Sequence, residues 1–111
     1  MKVRVPVPIP PIVPIRIHGP LGTKDVDALL DTGATFCIIS TDEALHLGYD
    51  LAGAVELSIA TAGGLIRVPK LTVDSIEVLG FRRPRVPVLV KDLAEAGLKV
   101  IIGWSFSIDS D

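Results

Sequence analysis

The chain has 111 residues, of which 49% are hydrophobic and 22% charged, with a net charge of −2. That length supports one domain with a modest core and excludes two lobes, and the charge gives no general attraction to nucleic acid or anionic membrane. A single cysteine, Cys37, excludes an internal disulfide and fits a reducing compartment, and with His18 and His46 far apart it forms no metal-ligand cluster.

Residues 1–14 form an arm interrupted by Pro6, Pro8, Pro10, Pro11 and Pro14. Proline has no N–H to donate, so the arm is expected to be extended, as polyproline or along a sheet edge. It reads either as a flexible leader or as an arm that packs on a second subunit. It contains neither a continuous apolar signal core nor the roughly 20 apolar residues of a spanning helix. A soluble, cytoplasmic protein is the resulting expectation.

From Ile15 the pattern changes to short strands of alternating residues. Ile15 and Ile17 lead to a turn over His18–Gly22, and Val26 to Leu30 form a second run that ends at Asp31-Thr32-Gly33. Phe36-Cys37-Ile38-Ile39 reads as a buried strand. Ser40-Thr41-Asp42-Glu43 is a capping box, in which Ser40 caps the N–H of Glu43 and the Glu43 side chain reaches back. The helix it opens is predicted to run to about Leu47 and to stop at Gly48. Val55, Leu57 and Ile59 alternate up to a reversal at Thr61-Ala62-Gly63-Gly64-Leu65, and Ile66 and Val68 alternate on the way back. This is a hairpin with a small-residue tip. Leu71/Val73, Ile76/Val78 and Val86/Val88/Val90 suggest three more strands. A further helical turn is predicted over 92–96, stopped by Gly97. Val100-Ile101-Ile102-Gly103 is the last buried run, after which Trp104, Phe106 and Ile108 alternate. Many short strands between Gly/Pro turns indicate an all-β barrel or a folded sandwich.

Asp31 carries the clearest chemistry. It follows the apolar Ala28-Leu29-Leu30, and a carboxylate at the end of a buried strand is costly unless it has partners or work to do. Gly33 allows a tight turn close to that carboxylate, and its N–H can support it. Thr32 offers a hydroxyl to lock the turn. Read alone, the triplet is more commonly an Asx-type turn closing a strand. Arg82-Arg83-Pro84-Arg85 reads as a solvated basic loop, and Cys37 as an inert core thiol.

Four segments in order resemble the retropepsin-like (retroviral-type) aspartic proteases, in their small cellular and prokaryotic form. They are Pro14–Ile17, Ala28-Leu29-Leu30-Asp31-Thr32-Gly33-Ala34, the glycine-rich Ala62-Gly63-Gly64, and Ile101-Ile102-Gly103. The resemblance implies an all-β, closed acid-protease-like barrel over residues 15–111 with a flap hairpin and one or two short helices. It also implies peptide hydrolysis by two carboxylates about 3 Å apart that share one proton. Neither Asp74-Ser75 nor Asp109-Ser110 is followed by glycine, so the second carboxylate is expected from Asp31 of another copy. On this reading Asp31, Thr32 and Gly33 are catalytic, and Ala34, Ala62, Gly63, Gly64 and Leu65 contact substrate. The partners are a second copy and a peptide or protein substrate, with no metal, organic cofactor, nucleic acid or membrane. Ala34 has no hydroxyl to donate, so a pH optimum less acidic than a digestive enzyme's is expected. Thr35 and Trp104 stand where retroviral enzymes carry an acid–arginine pair. A silent dimerisation or peptide-binding module on the same fold is the alternative.

Overall fold

The computed structural model describes residues 12–31 and 33–103. Among these residues seven strands run in chain order: β1 (Ile12–Gly19), β2 (Gly22–Leu30), β3 (Cys37–Ile39), β4 (Val55–Thr61), β5 (Gly64–Val78), β6 (Phe81–Val90) and β7 (Val100–Ile102). One short helix, α1 (Thr41–His46), follows β3, and a 3₁₀ turn over Ala94–Ala96 precedes β7.

The neighbours run β1-β2-β7-β3-β6-β5, and β5 pairs back onto β1, so six strands close into a barrel. Two of these pairings, β2–β7 and β3–β6, are parallel, and the other four are antiparallel. The barrel is therefore mixed, as well as closed. β4 stands outside the ring and, among the described residues, pairs with the first half of β5 alone. The interior is filled by β-branched side chains, with Ile17, Ile39, Ile76, Val73, Val86, Val88 and Val100 all fully buried. Such residues suit a pleated, crowded surface.

The prolines fit the ladders. Two-residue turns at Pro20-Leu21 and Ala62-Gly63 make Gly19/Gly22 and Thr61/Gly64 hydrogen-bonded pairs, and bonded and non-bonded pairs alternate from there. By that count Pro14 opposite Asp27 and Pro69 opposite Glu56 occupy non-bonded pairs, where the partner strand needs no N–H from them. The β5–β6 turn, Leu79-Gly80, has φ of 51° and 85°. Positive φ at both positions is the type I′ turn that suits the twist of a hairpin, although Leu79 is an unusual residue to adopt it.

Three expectations are revised. The runs at Ile66/Val68, Leu71/Val73 and Ile76/Val78 are one 15-residue strand, β5, because it is paired in succession by β4, β6 and β1. Ile12, Val13 and Pro14, assigned to the arm, belong to β1 and pair with Leu29, Ala28 and Asp27. Only half of the capping box forms: Ser40 Oγ accepts from Glu43 N at 3.3 Å, while Ser40 N donates to Lys99 O at 2.8 Å instead of to Glu43. The alternating Trp104, Phe106 and Ile108, the arm's residues 1–11, and Thr32 lie outside the described residues.

The barrel's outer face carries charges of alternating sign in register. Asp25 on β2 faces Arg16 on β1, Arg16 faces Glu77 on β5, and Glu77 faces Arg82 on β6. Arg16 Nε and Nη2 donate to the two Asp25 carboxylate oxygens at 2.7 and 3.2 Å. That bonding holds the Asp25 carboxyl below the usual range and raises the guanidinium. Both groups are open to water, so the pair fixes register more than it adds stability.

Tyr49, after α1, fills a gap in the β5–β6 ladder. Arg85 has a φ of 54°, and the ladder skips the Asp74/Arg85 pair. Asp74 N donates instead to Tyr49 Oη at 3.0 Å. Burial, the largest influence on it, holds the Tyr49 phenol above its ordinary value. The folded chain thus keeps a proton that the unfolded chain releases near pH 10, and stability declines as pH rises through that region. Tyr49→Phe is expected to lose about 0.5–1 kcal/mol at neutral pH and to lack this part of the alkaline decline. Urea unfolding at neutral and alkaline pH measures both.

Candidate active site

Asp31 sits where β2 leaves the sheet. Ala28, Leu29 and Leu30 pair in parallel with Val100, Ile101 and Ile102, and Asp31 N extends that ladder by donating to Ile102 O at 2.9 Å. The chain then turns sharply. Gly33 N donates to Asp31 Oδ1 at 2.9 Å, and Ala34 N donates to Asp31 O at 3.1 Å. The side chain and the main chain of Asp31 thus each hold one residue of the turn, and the carboxylate is oriented by backbone geometry. A β-carbon on Gly33 would lie 3.3 Å from Asp31 Oδ1, tighter than ordinary contact. Asp31 and Ala34 are half-buried and Gly33 is exposed, so the loop meets solvent.

Beneath the loop, Gly103 follows β7. A β-carbon there would lie 2.5 Å from Phe36 O and 2.7 Å from Ala34 O. Only glycine lets the strand pass the loop's carbonyls at that distance. The Cys37 thiol reaches Gly103 O at 3.8 Å from below. The predicted Ile-Ile-Gly element therefore touches the Asp31 loop on its inner side. The Ile102 carbonyl as acceptor for Asp31 was not legible in the sequence, because the parallel pairing behind it has no local signal.

Glu43 is a support that sequence reasoning assigned only to helix capping. It is 4% exposed, and its Oε2 lies 2.8 Å from Lys24 Nζ, with Lys99 Nζ 4.0 Å from Oε1. Among the described residues Oε2 has no hydrogen-bond partner, and Lys24 is its ionic one. Lys24 lies on β2, and Lys99 immediately precedes β7. One buried carboxylate in α1 therefore faces a cation on β2 and another just before β7. Removing one partner of such a pair strands the other charge.

The hairpin tip is built separately. Thr61 Oγ1 donates to Gly64 O at 2.8 Å and accepts from Gly63 N at 3.2 Å. Gly64 has a φ of +118°, a region that favours glycine. Ala62, Gly63, Gly64 and Leu65 are all exposed, Leu65 at 77%. The hydrogen bonds of the tip stay within the hairpin, and among the described residues none joins it to the Asp31 loop. The structure thus brings together Asp31, Gly33 and Ala34, and leaves Ala62–Leu65 on a separate projection.

Grooves of about 480 and 540 Å³ lie on the two sides of Gly97–Lys99, and neither is lined by Asp31. Among the described residues no three His, Cys, Asp or Glu side chains converge as a metal site. No described helix is long and apolar enough to cross a membrane.

Gly103→Ala must displace two backbone carbonyls of the Asp31 loop. It is expected to cost about 1–3 kcal/mol, and more if the loop cannot yield. The shift in urea midpoint at unchanged m-value measures this, and a wild-type midpoint would mean the clearance is not needed.

Residues 13–106 match the model of a family described as aspartyl protease. No curated protein sequence matches the chain. Among solved structures, a retropepsin-like aspartic protease from Rickettsia conorii superposes with a TM-score of 0.61 at 22% identity. The match covers 90% of this chain and 92% of that one.

Proposed function

Because the chain belongs to the aspartyl protease family, we propose that it is an aspartic endopeptidase whose catalytic pair is Asp31 from each of two copies. The observation that carries this reading is the backbone-held carboxylate at the end of β2, on a loop open to solvent. One chain supplies one such loop, and a two-fold axis beside it supplies the second.

In the proposed reaction, the ionised member of the pair takes a proton from a bound water while the other protonates the substrate carbonyl. The water oxygen bonds to the carbonyl carbon, giving a neutral tetrahedral adduct. A proton then passes to the amide nitrogen, the C–N bond breaks, and a carboxylic acid and an amine leave. No metal or organic cofactor takes part. Thr32 and Gly33 hold the carboxylate in place. The β4–β5 hairpin acts as the flap, with Ala62, Gly63, Gly64 and Leu65 over an extended peptide that lies against Ala34. Closure of the flap excludes water from the cleft. We place this work in the reducing cytoplasm, on the strength of the lone, buried Cys37.

Asp31→Asn is expected to lower cleavage of a mixed peptide library by about 10²–10⁴-fold or more. Equal cleavage by wild type and variant would sink the assignment. The shared site makes a further demand: mixing wild type with an equal amount of Asp31→Asn should leave about a quarter of the dimers with two intact carboxylates. Activity falling only in proportion to dilution, or a strict monomer retaining full activity, would refute the two-copy site. A chain that dimerises and binds peptides with no Asp31-dependent turnover would instead be a silent module.

A further inference from the structure

Among the described residues, stretches of β1, β2 and β5 lack a neighbour on one side, and each carries a device against further pairing. The unpaired start of β1 has Pro14, and the part of β2 before β7 joins it has Lys24, Asp25 and Asp27. The first half of β5 has Arg67 and Pro69. Prolines and charges of this kind are how proteins prevent edge-to-edge association.

β4 differs. Among the described residues, nothing pairs with its outer edge over Val55–Thr61. It has no proline and a single charge, Glu56, which Arg67 Nε approaches at 3.6 Å on the same hairpin. The alternation set by the Ala62-Gly63 turn decides which groups this edge offers. Leu57, Ile59 and Thr61 bond inward to β5, so Glu56, Ser58 and Ala60 direct their N–H and C=O groups outward.

We propose that the β4 edge is a self-association surface, on which a second copy's β4 adds antiparallel about a two-fold axis through Ser58. The segment is self-complementary in that register. Ser58 faces Ser58 of the second copy, and Glu56 faces Ala60, so the outward groups of each strand meet as bonded pairs. Leu57 then faces Ile59 in the closer, non-bonded pairs. Both are half-buried already and lie beside Val68 and Ile66, so pairing extends one aliphatic row across both hairpins. No like charges are opposed. The contact is isologous, so taken by itself it joins two hairpins and goes no further. A single strand pair is a small interface, so the association is weak. It does not depend on whether Asp31 cuts peptides, and it uses a surface separate from the Asp31 loop.

Sedimentation from about 1 to 500 µM tests it. Wild type should show an association step at high concentration, beyond or instead of any step at the Asp31 loop. Ser58→Pro removes an outward N–H and no hydrogen bond of the hairpin, and should abolish that step alone. Ser58→Lys and Ser58→Glu should each weaken it at least about tenfold, since each sets like charges on the two-fold axis. An equimolar mixture of the two should restore it, an outcome that a misfolded variant cannot produce. A wild type with no such step would overturn the proposal. So would a step that Ser58→Pro leaves in place, or one that the mixture fails to restore.

Discussion

β2 and β7 lie far apart in sequence, yet their three-residue parallel pairing is what gives Asp31 its position. The backbone of Asp31 completes that ladder through Ile102, and Gly103 then passes beneath the loop so closely that Phe36 and Ala34 carbonyls occupy the space of a side chain. The acid's orientation follows from these two facts. The first sets where the strand ends, and the second prevents the turn from sinking into the barrel. Gly33 and Ala34 then fold back onto Asp31 itself. Rigid strands that carry a short loop are a more exact mount for a reactive group than a long loop would be.

The rest of the barrel serves that mount. β1 flanks β2 on the other side, and β5 closes the ring against β1, so β2 cannot shift without disturbing a cross-strand register that runs through Asp25, Arg16, Glu77 and Arg82. From outside, α1 braces the β2 and β7 ends through Glu43, Lys24 and Lys99. A buried carboxylate facing two lysines adds little net stability against an apolar replacement. A seating of α1 that separated Glu43 from these lysines would leave its buried charge unmatched.

Much of this was legible in the sequence wherever the signal was local. The Asp-Thr-Gly turn, the Ser40 cap, the Gly48 and Gly97 stops and the Ala62-Gly63 reversal are set by backbone chemistry within a few residues. What was not legible depends on distant partners. Pro69-Lys70 and Asp74-Ser75 read as strand breaks, yet β5 runs through both. Pro69 occupies a non-bonded position, and Tyr49 satisfies the N–H that Asp74 would otherwise lose. Glu43 read as half of a capping box because its neighbours named that role. Its lysine partners come from 19 residues before it (43 − 24) and 56 after it (99 − 43). The barrel as opposed to a sandwich was carried by the resemblance, since alternation alone does not report which strand closes on which.

The long-range β2–β7 pairing also bears on the order of events in folding. Hairpins such as β1–β2 and β5–β6 close short loops and can form within about microseconds, whereas the β2–β7 ladder must wait for a much longer loop to close. During synthesis the Asp31 turn is made early, but its ladder partner does not exist until Val100–Ile102 have been added. Between the addition of Asp31 and that of Val100–Ile102 the chain cannot seat this carboxylate, and the assembled loop appears only with the last strand of the ring.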